Sequence, residues 1–388
     1  MGKISLEELK TELAHGKSQL YLAGVVKITE DTFEGEQTSK NGYTYLRTGF
    51  SVKVGEERSV WVSMMGGYSK GNPIIYTFSK KNESLQVNWK TRENSQVLEQ
   101  VADYALYKIA LEKDKEGKLI TKKFVSQYDA INYLKEHLED GMNVVIGAEA
   151  KYSLYNDDVQ RQFEIKTLAL DEGYTDKKKV KHEHRDPAAR LSQTYLIEED
   201  SVSENYEEEL EENGVTTINA YVPQYLGKVD GKEIKKVVAL PQQFTVRVKD
   251  DNVDGAKALV GSVIKPESSD VVREISMRMN ILDGYSTSQV QLEEDDVPDE
   301  VKQLIEIGVM SLDDVKREIY VSGDRVSETT FSSIMLDKES RKILKEDKYD
   351  VSVLTMPIVD GEETVADDDT SWLSDDEDDD DQVDFNFD

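Results

Sequence analysis

Two short segments, YTYLRTGFSVKV (43–54) and SVWVSM (59–64), alternate in polarity residue by residue, and no other feature limits the fold of this chain so tightly. A period of two is the signature of a half-buried strand. Leu46, Phe50, Val52 and Val54 fall on one face, in phase with Val60, Val62 and Met64. GEER (55–58) joins the two segments as a hairpin. The apolar face demands further strands to cover it, because a lone hairpin is marginal in water. The other face is the unusual one. It carries Tyr43, Tyr45, Arg47, Ser51 and Lys53, opposite Ser59, Trp61 and Ser63.

The flanking segments supply the missing strands. LYLAGVVKI (20–28) places Leu20, Leu22, Val26 and Ile28 on one face, with a bulge expected at Gly24. A helix is predicted over 127–139, with Ile131, Leu134 and Leu138 on one side and Gly141 closing it. Strands follow at 142–155 and 160–170. Three strands, a helix and two strands is the order of a five-stranded OB barrel. The chain therefore reads as mainly β with helical insertions, and 1–170 as an N-terminal OB-fold domain. Within it, 66–126 reads as an insertion, with a helix at 94–106 and a hairpin around DKEG (114–117). Ser5 and Glu8 form a capping box for a predicted helix over 5–15.

Residues 171–214 are charged and poor in large apolar side chains, and read as a linker. A second OB-like domain is expected over 215–357, with strands at 216–226, 233–248, 271–282, 318–326, 329–336 and 349–355 and a helix at 298–308. The tail, 358–388, is expected to be disordered. Residues 360–388 hold 15 carboxylates and no base, a density that prevents independent folding.

Charge is distributed unevenly. The net charge is −31, yet residues 1–185 carry 28 Lys and Arg against 28 Asp and Glu. The acid is back-loaded, which leaves a phosphate-binding surface open to the first domain. No apolar run approaches the ~18 residues of a membrane span, and the amphipathic MGKISLEELK is unlike a signal peptide. The expected location is cytosolic. Without cysteine there is neither disulfide nor thiolate zinc site.

The aromatic-basic face suits a single strand of nucleic acid. Tyr43, Tyr45 and Trp61 could stack on bases, while Arg47 and Lys53 hold phosphates. KYSLYNDDVQR (151–161) adds Lys151, Tyr152, Tyr155 and Arg161 around the last hairpin, where OB folds border their cleft. MGGYSKGNP (65–73) adds Tyr68 and Lys70 on a loop that lacks phosphate-loop spacing. His182 and His184, with Glu183 and Asp186, are too few for a convincing metal site. There is no G-x-S-x-G and no H-E-x-x-H, so no enzyme, metal or cofactor is expected.

SLQVNWK (84–90), the stretch 124–166 and the phenylalanine-bearing acidic terminus together resemble single-stranded DNA-binding proteins of tailed bacteriophages, particularly large phages of Gram-positive hosts. The resemblance implies an OB-fold protein that coats single-stranded DNA in the cytoplasm of an infected cell. It also implies recruitment of phage or host replication proteins through tail anchors, here Trp372, Phe385 and Phe387. Such tails commonly end on an aromatic residue, whereas this one ends FNFD. The competing reading is an acidic DNA mimic that binds and inhibits DNA-processing enzymes.

Overall fold

The alternating segments pair as the sequence requires. In the computed structural model, which describes residues 9–55, 58–155, 158–229, 232–285 and 325–355, β1 (Ser18–Lys27), β2 (Tyr43–Lys53) and β3 (Ser59–Ser69) are the first three long strands. Helix α1 (Gln127–His137) follows an insertion, and then come β8 (Asn143–Tyr155) and β9 (Asp158–Leu170). The insertion holds β4 (Ile74–Phe78), β5 (Ser84–Asn88), β6 (Tyr107–Lys113) and β7 (Leu119–Phe124). β1 pairs with β2 and β8, β2 with β3, and β8 with β9. β9 meets β3 in parallel through one bridge, Glu164 to Ser63. This is the OB strand order, and that single bridge leaves the barrel without a continuous closing ladder. Leu20, Leu22, Phe50, Val62, Ile131, Leu134, Ile146 and Ile165 fill its interior.

A second ring of the same order follows. Its strands are β10 (Ala188–Ile197), β11 (Val215–Val229), β12 (Lys232–Arg247), β13 (Val271–Tyr285) and β14 (Arg325–Ile334). β10 pairs with β11 and β13, β11 with β12, and β13 with β14, while β12 touches β14 in parallel at Thr245 and Thr330. Between β12 and β13 lie α3 (Val253–Ala258) and a π-helical turn over 259–264. β15 (Lys345–Asp350) adds to the outer side of β13. The two rings join edge to edge, because β1 also pairs with β10 over Ser18–Ala23.

Several expectations are corrected. The supposed linker supplies β10 and the helix α2 (Tyr206–Glu212). In RLSQTYLI, Leu191, Tyr195 and Ile197 enter the core while Gln193 and Thr194 find partners on neighbouring strands, so low apolar content hid a central strand. The strand at 216–226 is thus the second of its ring. Residues 9–15 are not helical: Lys10 exchanges backbone hydrogen bonds with Lys348 and Asp350, tying this segment to β15. The helix over 94–106 reduces to single turns at Ser95–Leu98 and Asp103–Ala105. The last strand ends at Asp350 and continues as a 3-10 turn. Gly24 is not bulged; a Cβ there would stand 2.2 Å from the Lys53 carbonyl oxygen, so glycine permits close approach of β1 and β2. The helix at 298–308, residues 318–324 of the next strand, and Trp372, Phe385 and Phe387 lie outside the described residues. Among the described residues, no helix is long and apolar enough to cross a membrane.

Candidate nucleic-acid interface

The outward face of the β2–β3 hairpin opens onto one cleft of about 2530 Å³ that runs past β8 and β9 to β11 of the second ring. Six Lys and Arg side chains line it against three Asp and Glu, the reverse of the balance in the chain as a whole. Aromatic groups concentrate there too. Of the six exposed Tyr and Trp side chains among the described residues, Trp61, Tyr76, Tyr104 and Tyr155 line this cleft.

Trp61 is 54% exposed, and strand alternation explains why. Val60 and Val62 point into the barrel, so Trp61 must point out. Its indole lies against Gly49 on the neighbouring strand, where a Cβ would sit 2.6 Å from Cζ2. Tyr155, 62% exposed, stands at the end of β8. Tyr43 lines the cleft half-buried, its ring stacked 6.0 Å from that of Tyr45, and burial pushes its hydroxyl up to about 12. Tyr45 donates to Gln37 Oε1 at 2.7 Å and, like Lys53 and Lys70, falls outside the cleft lining. Arg47 is exposed and lines it.

Tyr152 has a different place. It is 4% exposed, its hydroxyl donates to Gln193 Oε1 at 3.1 Å, and its backbone N–H donates to Gln224 Oε1 at 3.1 Å. The ring belongs to the core beneath the cleft, because even positions of β8 (Val144, Ile146, Ala148, Ala150, Tyr152) all face inward. A stacking role is thereby corrected to a structural one. Arg161 lines the cleft, but Nη1 also donates to Thr329 Oγ1 at 2.8 Å, linking the two rings.

Tyr68 acts as a tether. Gly66 and Gly67, read as a loop, continue β3, because the volume their side chains would fill is taken by Gln127 and by the Tyr45 backbone. β3 so prolonged carries Tyr68 to Trp89, on which it stacks at 4.5 Å. Arg92 lies 3.9 Å over the Trp89 ring and forks onto Asp129 of α1 with two 2.7 Å bonds. The insertion is thus fastened to the first ring.

At the floor, on the seam between β3 and β9, sits buried Glu164. Lys166 Nζ is 2.8 Å from Oε1 and Lys151 Nζ 3.4 Å from Oε2. Burial alone would push this carboxyl up; the two ammonium groups overcome it and hold it down at about 2. Lys166 answers with a value well above the usual lysine range, burial being outweighed by Glu164. The floor therefore presents cations whose positions a carboxylate sets.

Sequence reasoning missed Tyr76, Tyr104, Lys166, Tyr225 and Lys228, all of which line the cleft. Lys166 is the unpaired residue at a register shift in β9, a place that alternation does not foretell. Tyr225 stacks on His15 at 5.9 Å, a pairing made only when β11 of the second ring meets the segment that leads into β1.

The sequence matches no family model and no curated protein. Among solved structures, the wild-type single-stranded DNA binding protein from Thermus aquaticus aligns over 70% of this chain and 87% of its own, at 9% identity and a TM-score of 0.27. A deletion mutant of that protein aligns over 70% and 89%, at 8% identity and the same score.

Proposed function

We propose that this chain binds single-stranded DNA without sequence preference in the cleft between β2–β3, β8–β9 and β11. The observation that carries the reading is the coincidence of exposed aromatic rings and an inverted charge balance in one groove of a strongly acidic chain. Every base has a π-face, so Trp61 and Tyr155 can accept any base, while Arg47, Lys151, Lys166 and Lys228 meet the phosphates. Duplex DNA keeps its bases stacked inward and cannot use the rings. In this reading the role is one of coating.

The setting that suits such a protein is phage DNA replication in the cytoplasm of an infected bacterial cell. In this reading the acidic tail recruits phage or host replication proteins, with Trp372, Phe385 and Phe387 as apolar anchors in a segment dense in carboxylates. Pull-down of replication proteins by the wild-type chain and by a Phe385→Ala, Phe387→Ala chain tests the anchors; equal capture removes them.

The DNA test is anisotropy of labelled oligo(dT) and of a duplex with the full chain at rising salt. Single strands are expected to bind more tightly than duplex, with a log–log salt slope of about −0.7 per phosphate neutralised. Equal affinity for duplex, or no binding at low salt, overturns the reading and leaves the acidic-mimic alternative.

A further inference from the structure

We infer that the insertion between β3 and α1 forms a second wall of the cleft, on which Tyr76 and Tyr104 stack bases of the strand that Trp61 holds. This rests on the single-strand reading above and adds a subsite to it.

The wall follows from the period of the β4–β5 hairpin. Ile75, Leu85 and Val87 turn to one side and join Val101, Leu106 and Val125 in a small separate core. The opposite face must then carry Ile74, Tyr76 and Phe78, with Ser84 and Gln86 across from them, and all five line the cleft. An isolated two-stranded ribbon would be marginal, but this one is held from outside at its turn end. Ala102 N–H donates to the Phe78 carbonyl at 2.8 Å and Lys80 N–H to that of Gln100 at 3.0 Å, while Trp89 N–H, donating to the Pro73 carbonyl at 2.8 Å, extends the ribbon by one rung. The tether through Tyr68, Trp89, Arg92 and Asp129 fixes the ribbon to the first ring.

On this support, Tyr76 is 50% exposed and Tyr104 40%. The Tyr104 hydroxyl donates to Asn82 Oδ1 at 3.1 Å, and Phe78 stands 6.3 Å behind its ring. These contacts hold the ring while leaving much of it in solvent. Core packing alone gives no reason for two aromatic rings to face water in the cleft that Trp61 and Tyr155 also line. Bases are the flat, sequence-tolerant partners that do, and the continuity of this face with the basic floor places phosphates within the same groove.

The test uses the full chain with Tyr76→Ala, Tyr104→Ala, the double variant and the corresponding Phe variants. The probes are oligo(dT) and an abasic oligonucleotide of equal length. Each Ala change is expected to weaken oligo(dT) binding by roughly 5- to 100-fold. Affinity for the abasic strand should stay as in wild type, and Phe should restore binding, because a ring suffices for stacking. The thermal midpoint should hold, since both rings are exposed. Ala variants that bind oligo(dT) like wild type while Trp61→Ala loses affinity overturn the wall and leave the function standing. Equal losses on abasic and normal strands also overturn it, since bases are then not what the rings touch. A wild-type chain that binds no single strand overturns both.

Discussion

The indole of Trp61 lies on Gly49, so closely that a methyl group at 49 would stand 2.6 Å from Cζ2. Glycine at that strand position sets the pose of the exposed ring. Gly49→Ala is expected to swing the indole away and weaken single-strand binding, up to the roughly 1–3 kcal/mol that Trp61→Ala should cost. Stability should change by less than about 1 kcal/mol, since the displaced ring is exposed. Anisotropy titration beside thermal unfolding decides; unchanged affinity in both variants removes Trp61 from the interface.

Tyr152 and Tyr155 lie three residues apart on β8 and should behave oppositely. Tyr152→Phe removes a buried hydroxyl from Gln193 and should cost about 0.5–1.5 kcal/mol of stability with DNA affinity intact. Tyr155→Ala should weaken binding and leave the urea midpoint unchanged. The reverse outcome would put Tyr152 in the groove.

Glu164 sets an acid limit on stability. Its folded value, about 2, lies below its ordinary 4.5, so the carboxylate stabilises the fold above pH 4.5 and that contribution disappears as pH falls towards 2. In Glu164→Gln this part of the stability profile should be flat and the neutral-pH stability lower. Urea unfolding at a series of pH values checks it; parallel profiles for the two chains would deny the lysine pair its role.

Arg161 joins the rings and adds a cation to the cleft. Arg161→Ala should reduce the magnitude of the salt slope by about 0.7, and Arg161→Lys should retain it. Identical slopes in all three chains would confine Arg161 to its bond with Thr329.

Residue alternation by itself determined the β2–β3 hairpin and which of its faces is core, because the strand period is two whatever surrounds it. It also determined that Trp61 and Arg47 point outward, and the three-strand, helix, two-strand order of the first ring. Tertiary structure decided the rest. Whether Tyr152 faces base or core depends on which side of β8 the barrel covers, and Gln193 of β10 settles that from across the ring junction. β10 itself reads as linker, because its polar Gln193 and Thr194 are buried only through partners on other strands. Tyr76 and Tyr104 carry no local mark of a site; they enter the cleft because the Arg92–Asp129 pair and the Tyr68–Trp89 stack fasten the insertion beside it. Local periodicity sets the direction of a side chain, and only the pairing of distant strands sets what it meets.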